Sequence, residues 1–137
     1  MLDAYLGLPF ADHSEGDGFD CWGLIRHVYM CEKHVTLPTY GEGYANTGDR
    51  EGIVASVLLG LAADFDKVTT PQPFDLVIFN IFGKPTHVAM VVNESLFLHC
   101  PSPVMGKGGF SCIERFADPN WSNRIEGFYR LKRANKN

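Results

Sequence analysis

Cys21 stands in the run Phe19-Asp20-Cys21-Trp22-Gly23-Leu24-Ile25-Arg26, where a polar loop gives way to an apolar-periodic segment. A thiol acts as a nucleophile in its thiolate form. Thiolate is favoured at a helix N-terminus, where aligned peptide dipoles place about half a positive charge. Cleaving an amide also needs a proton for the leaving amine, and histidine supplies one near neutral pH. Of the five histidines, His13 falls in the polar loop, and His27 and His34 run away from the start of the helix. His87 and His99 lie on neighbouring expected strands and are the pair that could form a base and its orienting partner. A lone cysteine is usually a small buried residue, and a lone histidine carries little weight. A helix-start cysteine together with two histidines at matched strand positions points instead to a Cys-His-His site.

The roles follow from the chemistry. Cys21 attacks a carbonyl carbon. His87 pairs with the thiolate and then protonates the leaving group. His99 accepts from the other ring nitrogen of His87 and holds its orientation. Backbone N–H groups at the helix start, that of Cys21 among them, would hold the oxyanion. Strand register tests the pairing. An odd turn, for example 92–94, sets His87 opposite His99 on one face. A two-residue turn at 93–94 sets His87 opposite Cys100 and turns the histidines to opposite faces. The catalytic reading therefore requires an odd loop or a bulge.

The elements that must position these residues are legible in outline. The loop Asp12-His13-Ser14-Glu15-Gly16-Asp17-Gly18 has no apolar period. Asp20 is a suitable cap for the helix that follows. Leu24, Ile25, Val28 and Tyr29 give that helix its helical spacing, from about Asp20 to Lys33. Residues 1–10 read as a short helix and a turn at Gly7-Leu8-Pro9. Residues 34–50 read as a loop, and Glu51 to Ala63 as an amphipathic helix. Strands are expected over 75–80, 86–93, 95–100, 110–116 and 125–132, with Gly127 marking a bulge or a close approach. Helices first and antiparallel strands after them make an α+β layout, with N-terminal helices packed on a sheet of about five strands.

The 137 residues suit one domain, spanning 1–137, with a real core. No apolar run approaches the ~20 residues that span a bilayer, so no membrane insertion is expected. The start, Met1-Leu2-Asp3-Ala4-Tyr5-Leu6, does not read as a secretory signal, which implies synthesis in the cytoplasm and another route out of it. Residues 1–75 carry twelve acids and four bases, and residues 76–137 four acids and eight bases. No sustained basic stripe or zinc-finger spacing supports nucleic-acid binding. Cys21, Cys31, Cys100 and Cys112 lack C-x-x-C spacing, so neither a structural zinc nor a cofactor is expected. Cys21 and Cys31 lie about 15 Å apart along one helix and cannot bridge. Cys100 and Cys112 could meet across a hairpin, but four free thiols is the simpler reading. Trp22 and Trp121 read as core residues before groove residues. Gly106-Lys107-Gly108-Gly109 lacks the spacing of a phosphate loop.

Phe19-Asp20-Cys21-Trp22-Gly23-Leu24-Ile25, Phe74-Asp75-Leu76-Val77-Ile78-Phe79, His87-Val88-Ala89-Met90-Val91-Val92 and Leu96-Phe97-Leu98-His99 together resemble the NlpC-type, papain-like cell-wall peptidases. The likeness spans roughly residues 5–131. Cys21-Trp22-Gly23-Leu24, Leu37-Pro38-x-Tyr40 and Gly127-Phe128-Tyr129-Arg130 are similar to the subgroup in tail tips of tailed bacteriophages. The resemblance implies a papain-like fold and cleavage of peptide stems in peptidoglycan, classically between D-glutamate and diaminopimelate. It carries the catalytic roles onto Cys21, His87 and His99. It further implies a virion location, with tail-tip proteins as partners. Many members have a tyrosine upstream of the cysteine whose hydroxyl reaches the active site. Here Phe10 stands near that place, or Tyr5 supplies the hydroxyl. The usual Gly-Gly before the cysteine is replaced by a more acidic loop. Three functions are consistent with these features: a peptidoglycan endopeptidase, a structural tail component with weak or no activity, and an amidase or acyltransferase on another small substrate.

Overall fold

A computed structural model describes residues 3–10, 21–37, 63–81, 83–101 and 109–132. Its framework is a six-stranded antiparallel sheet crossed on one face by a long helix, α1 (Cys21–Lys33). The strands are β1 (Phe65–Val68), β2 (Leu76–Ile81), β3 (Lys84–Val91), β4 (Leu96–His99), β5 (Cys112–Arg115) and β6 (Ile125–Leu131), in spatial order β1-β6-β2-β3-β4-β5. A four-residue helix, α2 (Pro119–Ser122), links β5 to β6. Five of the strands fall where the alternating pattern predicts them. The sixth, β1, was not expected: it lies at the edge and pairs Phe65 with Leu131 through to Val68 with Phe128. Only Phe65 of its four residues is buried, so it carries little apolar signal.

Helix α1 buries one stripe, formed by Trp22, Leu24, Ile25, Val28 and Tyr29. It ends at His34, whose φ of 58° is left-handed and stops helical propagation. The helix lies on β3 and β4. Its stripe joins Leu76, Ile78, Val88, Met90, Leu98 and Cys100 in the larger apolar cluster. The opposite face of the sheet carries a smaller cluster of Val77, Phe79, Ile81, Ala89, Phe97 and Trp121. Successive strand residues alternate between these clusters, as the two-residue period of a pleated strand requires. Phe79 is fully buried, its ring 4.9 Å from those of both Phe97 and Trp121. Truncating such a residue to alanine typically costs about 3–5 kcal/mol.

Two bulges break the ladders. Phe79 pairs with His87 and Asn80 with Pro85, so one residue is extra on β3 immediately before His87. Pro85 sits in this central strand beside the bulge, one of the places where a strand accepts proline. On the other side Ile78 pairs with Gly127 and Phe79 with Ile125. Gly127 therefore adjoins a bulge, and a Cβ there would lie 2.7 Å from Lys67 Cε. Both halves of the expectation for that glycine hold.

Asp75 is buried at the entrance to β2 and held by a forked pair. Arg130 Nε donates to Oδ1 at 2.9 Å and Nη2 to Oδ2 at 2.8 Å, while the Gln72 N–H donates to Oδ2 at 2.7 Å. The fork ties β6 to the start of β2. The N-terminal segment is stitched to the start of β5. The Ser111 N–H donates to the Leu8 carbonyl, the Ser111 hydroxyl accepts from the Leu8 N–H, and the Phe10 N–H donates to the Gly109 carbonyl. The short helix expected at the start is a single 3-10 turn, Asp3–Tyr5. The helix expected over 51–63, the Asp20 cap, Pro38 and Tyr40, His13 and its loop, and the glycine-rich stretch 102–108 lie outside the described residues, Ala63 excepted.

Candidate active site

The β3–β4 connection decides where the histidines point. Met90 pairs with Leu98, Val91 with Phe97, and the Val92 N–H donates to the Leu96 carbonyl. Three residues, 93–95, therefore make the turn. The Asn93 side chain sets its length by accepting from the N–H groups of Ser95 at 2.8 Å and Leu96 at 2.9 Å. The odd loop puts both histidines on one face, as the catalytic reading requires. The register differs by two residues from the expected one. Continued from Met90–Leu98, it sets His99 opposite Ala89, and His87 lies diagonally beyond. A diagonal step is within reach of two rings. His87 Nε2 and His99 Nδ1 lie 2.8 Å apart, within the buried interior.

Both rings enter the smaller cluster. Trp121 stacks on His87, with ring centroids 5.6 Å apart and planes at 29°, and meets His99 edge-on at 5.0 Å. Phe79 and Phe97 complete the apolar wall around them. Cys21 is the first residue of α1, half-buried, and packs against the larger cluster. The structure thus brings His87 and His99 into contact; α1, which begins with Cys21, packs on the larger-cluster face of the strands that carry them, and the two rings enter the smaller cluster.

A fourth polar residue, missed in the sequence, completes the chain. Glu114 lies on β5, two residues beyond Cys112, which pairs with His99. Glu114 Oε2 is 2.7 Å from His99 Nε2, and Glu114 Oε1 accepts from Trp121 Nε1 at 3.2 Å. The Cys112 thiol points to Oε2 at 3.8 Å. Burial pushes the pKa of His99 below its ordinary value, against the pull of the Glu114 carboxylate. The contact is therefore a neutral imidazole N–H donating to a carboxylate rather than an ion pair. The same hydrogen bond holds the Glu114 carboxyl below its ordinary pKa. Burial, reinforced by Glu114, pushes the Cys112 thiol up to about 11.

His99, Cys112 and Glu114 are also the residues, among those described, whose ligand atoms lie close enough together to suggest a metal. The distances favour hydrogen bonding. Two ligands of a tetrahedral zinc at ~2.0–2.1 Å stand roughly 3.3 Å apart. The nitrogen and oxygen here are at 2.7 Å, the spacing of a donor and its acceptor.

Two sequence alternatives are corrected. The Tyr5 hydroxyl donates to Glu32 Oε2 at 2.6 Å. Glu32 lies eleven residues beyond Cys21 on α1, about 16 Å along the axis, so Tyr5 does not supply a hydroxyl beside the thiol. Cys100 joins the larger cluster, whereas Cys112 stands opposite His99, which faces the smaller one. The two thiols therefore point to opposite faces and cannot bridge. None of the four cysteines forms a disulfide. Trp121 is buried in the core, and its apolar role coexists with its bond to Glu114.

These features define an α+β domain in which a helix opening with a cysteine lies across strands carrying a bonded histidine pair. The NlpC/P60 family profile matches residues 9–130, and the chain belongs to that family. No curated protein sequence matches it. Among solved structures it is similar to an NLP/P60 lipoprotein-like protein of Staphylococcus aureus (22% identity, TM-score 0.61), covering 93% of this chain and 38% of that one. It is similar to a Bacillus cereus NlpC/P60 protein at 23% identity and TM-score 0.60, covering 93% of this chain and 36% of that one. The chain thus spans little more than a third of either protein. The NlpC/p60 domain of the peptidoglycan hydrolase SagA is similar at 19% identity and TM-score 0.58, over 94% of this chain and 91% of that domain. At these identities the likeness establishes the NlpC/P60 fold.

Proposed function

We propose that this domain is a cysteine endopeptidase that cleaves peptide stems of bacterial peptidoglycan at a D-glutamyl–diaminopimelate type of bond, acting from a bacteriophage tail tip during wall penetration. Cys21 is the nucleophile, His87 its base and then the acid for the leaving amine, and His99 the residue that orients His87. The observation that carries the reading is the 2.8 Å contact between His87 Nε2 and His99 Nδ1. It commits Nε2 of His87 to His99 and gives Nδ1 the role of exchanging a proton with the thiol. Chemistry further requires that the Cys21 thiol reach the Nδ1 edge of His87. Family membership and the likeness to the domain of a peptidoglycan hydrolase support the substrate class. The tail-tip location rests on the resemblance of Cys21-Trp22-Gly23-Leu24 and Gly127-Phe128-Tyr129-Arg130 to that subgroup.

The test is a digest of purified diaminopimelate-type peptidoglycan by the protein and by Cys21→Ala, with released fragments weighed by mass spectrometry. Stem fragments released by the parent alone are the expected result, and their masses name the bond. No release by either folded protein would remove the hydrolase reading. One observation favours a second reading, a tail component with weak or no activity. The tyrosine hydroxyl found near the thiol in many relatives is missing at Phe10, and that of Tyr5 is bonded to Glu32.

A further inference from the structure

A neutral imidazole carries one donor and one acceptor, so a row of imidazoles has a direction. The row here is His87 Nε2 to His99 Nδ1, then His99 Nε2 to Glu114 Oε2. A carboxylate only accepts, so Nε2 of His99 must carry the hydrogen that reaches it. Nδ1 of a neutral His99 is then an acceptor. The hydrogen at the 2.8 Å contact must come from Nε2 of His87. Nδ1 of a neutral His87 is thereby left basic, and it is the nitrogen the proposed mechanism uses. Had His99 taken the other tautomer, its Nδ1–H would point at Nε2 of His87. The hydrogen of His87 would then sit on Nδ1, and no base would face the thiol.

We infer that Glu114 is a positioning residue: its carboxylate fixes the tautomer of His99 and, through it, that of His87, so that a Cys-His-His-Glu row and not a triad sets the direction of proton transfer. Three features of the site suit this role. His99 is wholly buried, so water does not compete for its Nε2. The carboxylate accepts from both His99 and Trp121, which anchors each of its oxygens. Trp121 stacks on His87, so one side chain braces both ends of the row. The inference rests on the proposed role of His87 as the base of the thiol.

The experiment uses the full chain labelled with 15N, and long-range proton–nitrogen spectra that report which ring nitrogens of His87 and His99 are protonated. Wild type is expected to show hydrogen on Nε2 of both rings. The opposite tautomer at His99 would overturn the inference. In Glu114→Gln the single amide oxygen cannot serve both His99 and Trp121. When it turns to Trp121, its NH₂ faces His99 and reverses the row. Protonated Nδ1 should then appear at His87. The alkylation rate of Cys21 by iodoacetamide should fall, because no base would then face the thiol. Glu114→Asp, which keeps the carboxylate, should restore the wild-type nitrogen pattern in part. A folded Glu114→Gln with unchanged nitrogen shifts and alkylation rate would overturn the inference. If Glu114→Gln fails to fold, the wild-type spectra and Glu114→Asp still decide. Wild-type protein that shows the expected tautomers yet releases no peptidoglycan fragments would sink the hydrolase reading while leaving the direction of the row in place.

Discussion

The four thiols occupy four environments, and their chemistry differs accordingly. Cys31 is exposed on the outer side of α1, Cys100 is fully buried, Cys112 is half-buried beside Glu114, and Cys21 opens the helix. Moving the Cys112 pKa from 9.0 to about 11 leaves roughly a hundredfold less thiolate at neutral pH. Cys112 should therefore alkylate about a hundred times more slowly than an exposed thiol, and Cys100 more slowly still. Peptide mapping after timed iodoacetamide treatment gives the order. Rapid labelling of Cys112 would mean that the Glu114 neighbourhood is open to water and that the row of hydrogen bonds is not sealed. On the proposed mechanism Cys21, as the nucleophile, should label fastest. His87→Ala should remove much of that advantage without changing the rate at Cys31.

Among the elements, one of the shortest holds a central position. Helix α2 has only four residues, yet it carries Trp121, which stacks on His87 and donates to Glu114. It is held by Asp118, whose carboxylate accepts from the Asn120 N–H at 2.8 Å, with Pro119 in the first turn. Asp118→Ala should cost about 1 kcal/mol, the usual value of such a cap. It should slow Cys21 alkylation as well, because Trp121 loses its seat; thermal unfolding and labelling measured together test both. A capping acid followed by proline was available in the sequence as the mark of this helix. Strands β2, β3 and β6 and helix α1 were legible because apolar period and length agree in them. Strand β1 was not: one residue of Phe65-Asp66-Lys67-Val68 is buried and two are charged. The odd β3–β4 loop could be posed as a requirement, but its length is set by the Asn93 side chain, and periodicity does not register that. Glu114 was illegible for a related reason. Its place beside His99 depends on the register between β4 and β5, which lie well apart in the sequence, and nothing local in Cys112-Ile113-Glu114-Arg115 fixes that register. The Arg130–Asp75 fork is another long-range pairing. Arg130→Met should lower the melting temperature by several degrees, because it leaves a buried carboxylate without its partner. Lys132→Met, which loses only an exposed contact to Asp66 at 4.0 Å, should change little.

For the molecule as a whole, the buried row makes stability depend on pH in a definite direction. His99 has a lower pKa in the folded protein than its ordinary 6.5, chiefly because burial disfavours the imidazolium. Below about pH 6.5 the unfolded chain therefore binds a proton that the folded chain resists. Stability from this group is present above that pH and is lost as pH falls through the folded pKa. Glu114 acts with the same sign at lower pH. Its folded pKa lies below the ordinary 4.5, chiefly through the His99 hydrogen bond, so its contribution fades as pH falls from about 4.5. Acidification should thus erode stability in two stages, first through the imidazole and then through the carboxylate. A single group contributes a slope of at most about 1.4 kcal/mol per pH unit. Urea midpoints measured from pH 8 to pH 4 should be level at the top of that range and fall below about 6.5. His99→Asn should be less stable at pH 8, since it disrupts the row, and should lose the first of the two declines. A first decline that persists unchanged in His99→Asn would assign it to other histidines, and the buried imidazole would then not be the group that limits the protein in acid. The two stages also separate the proposed activity from folding, because a loss of cleavage between pH 6.5 and pH 4.5 that parallels the midpoints reports unfolding. A loss that precedes them reports a change at the site itself rather than unfolding.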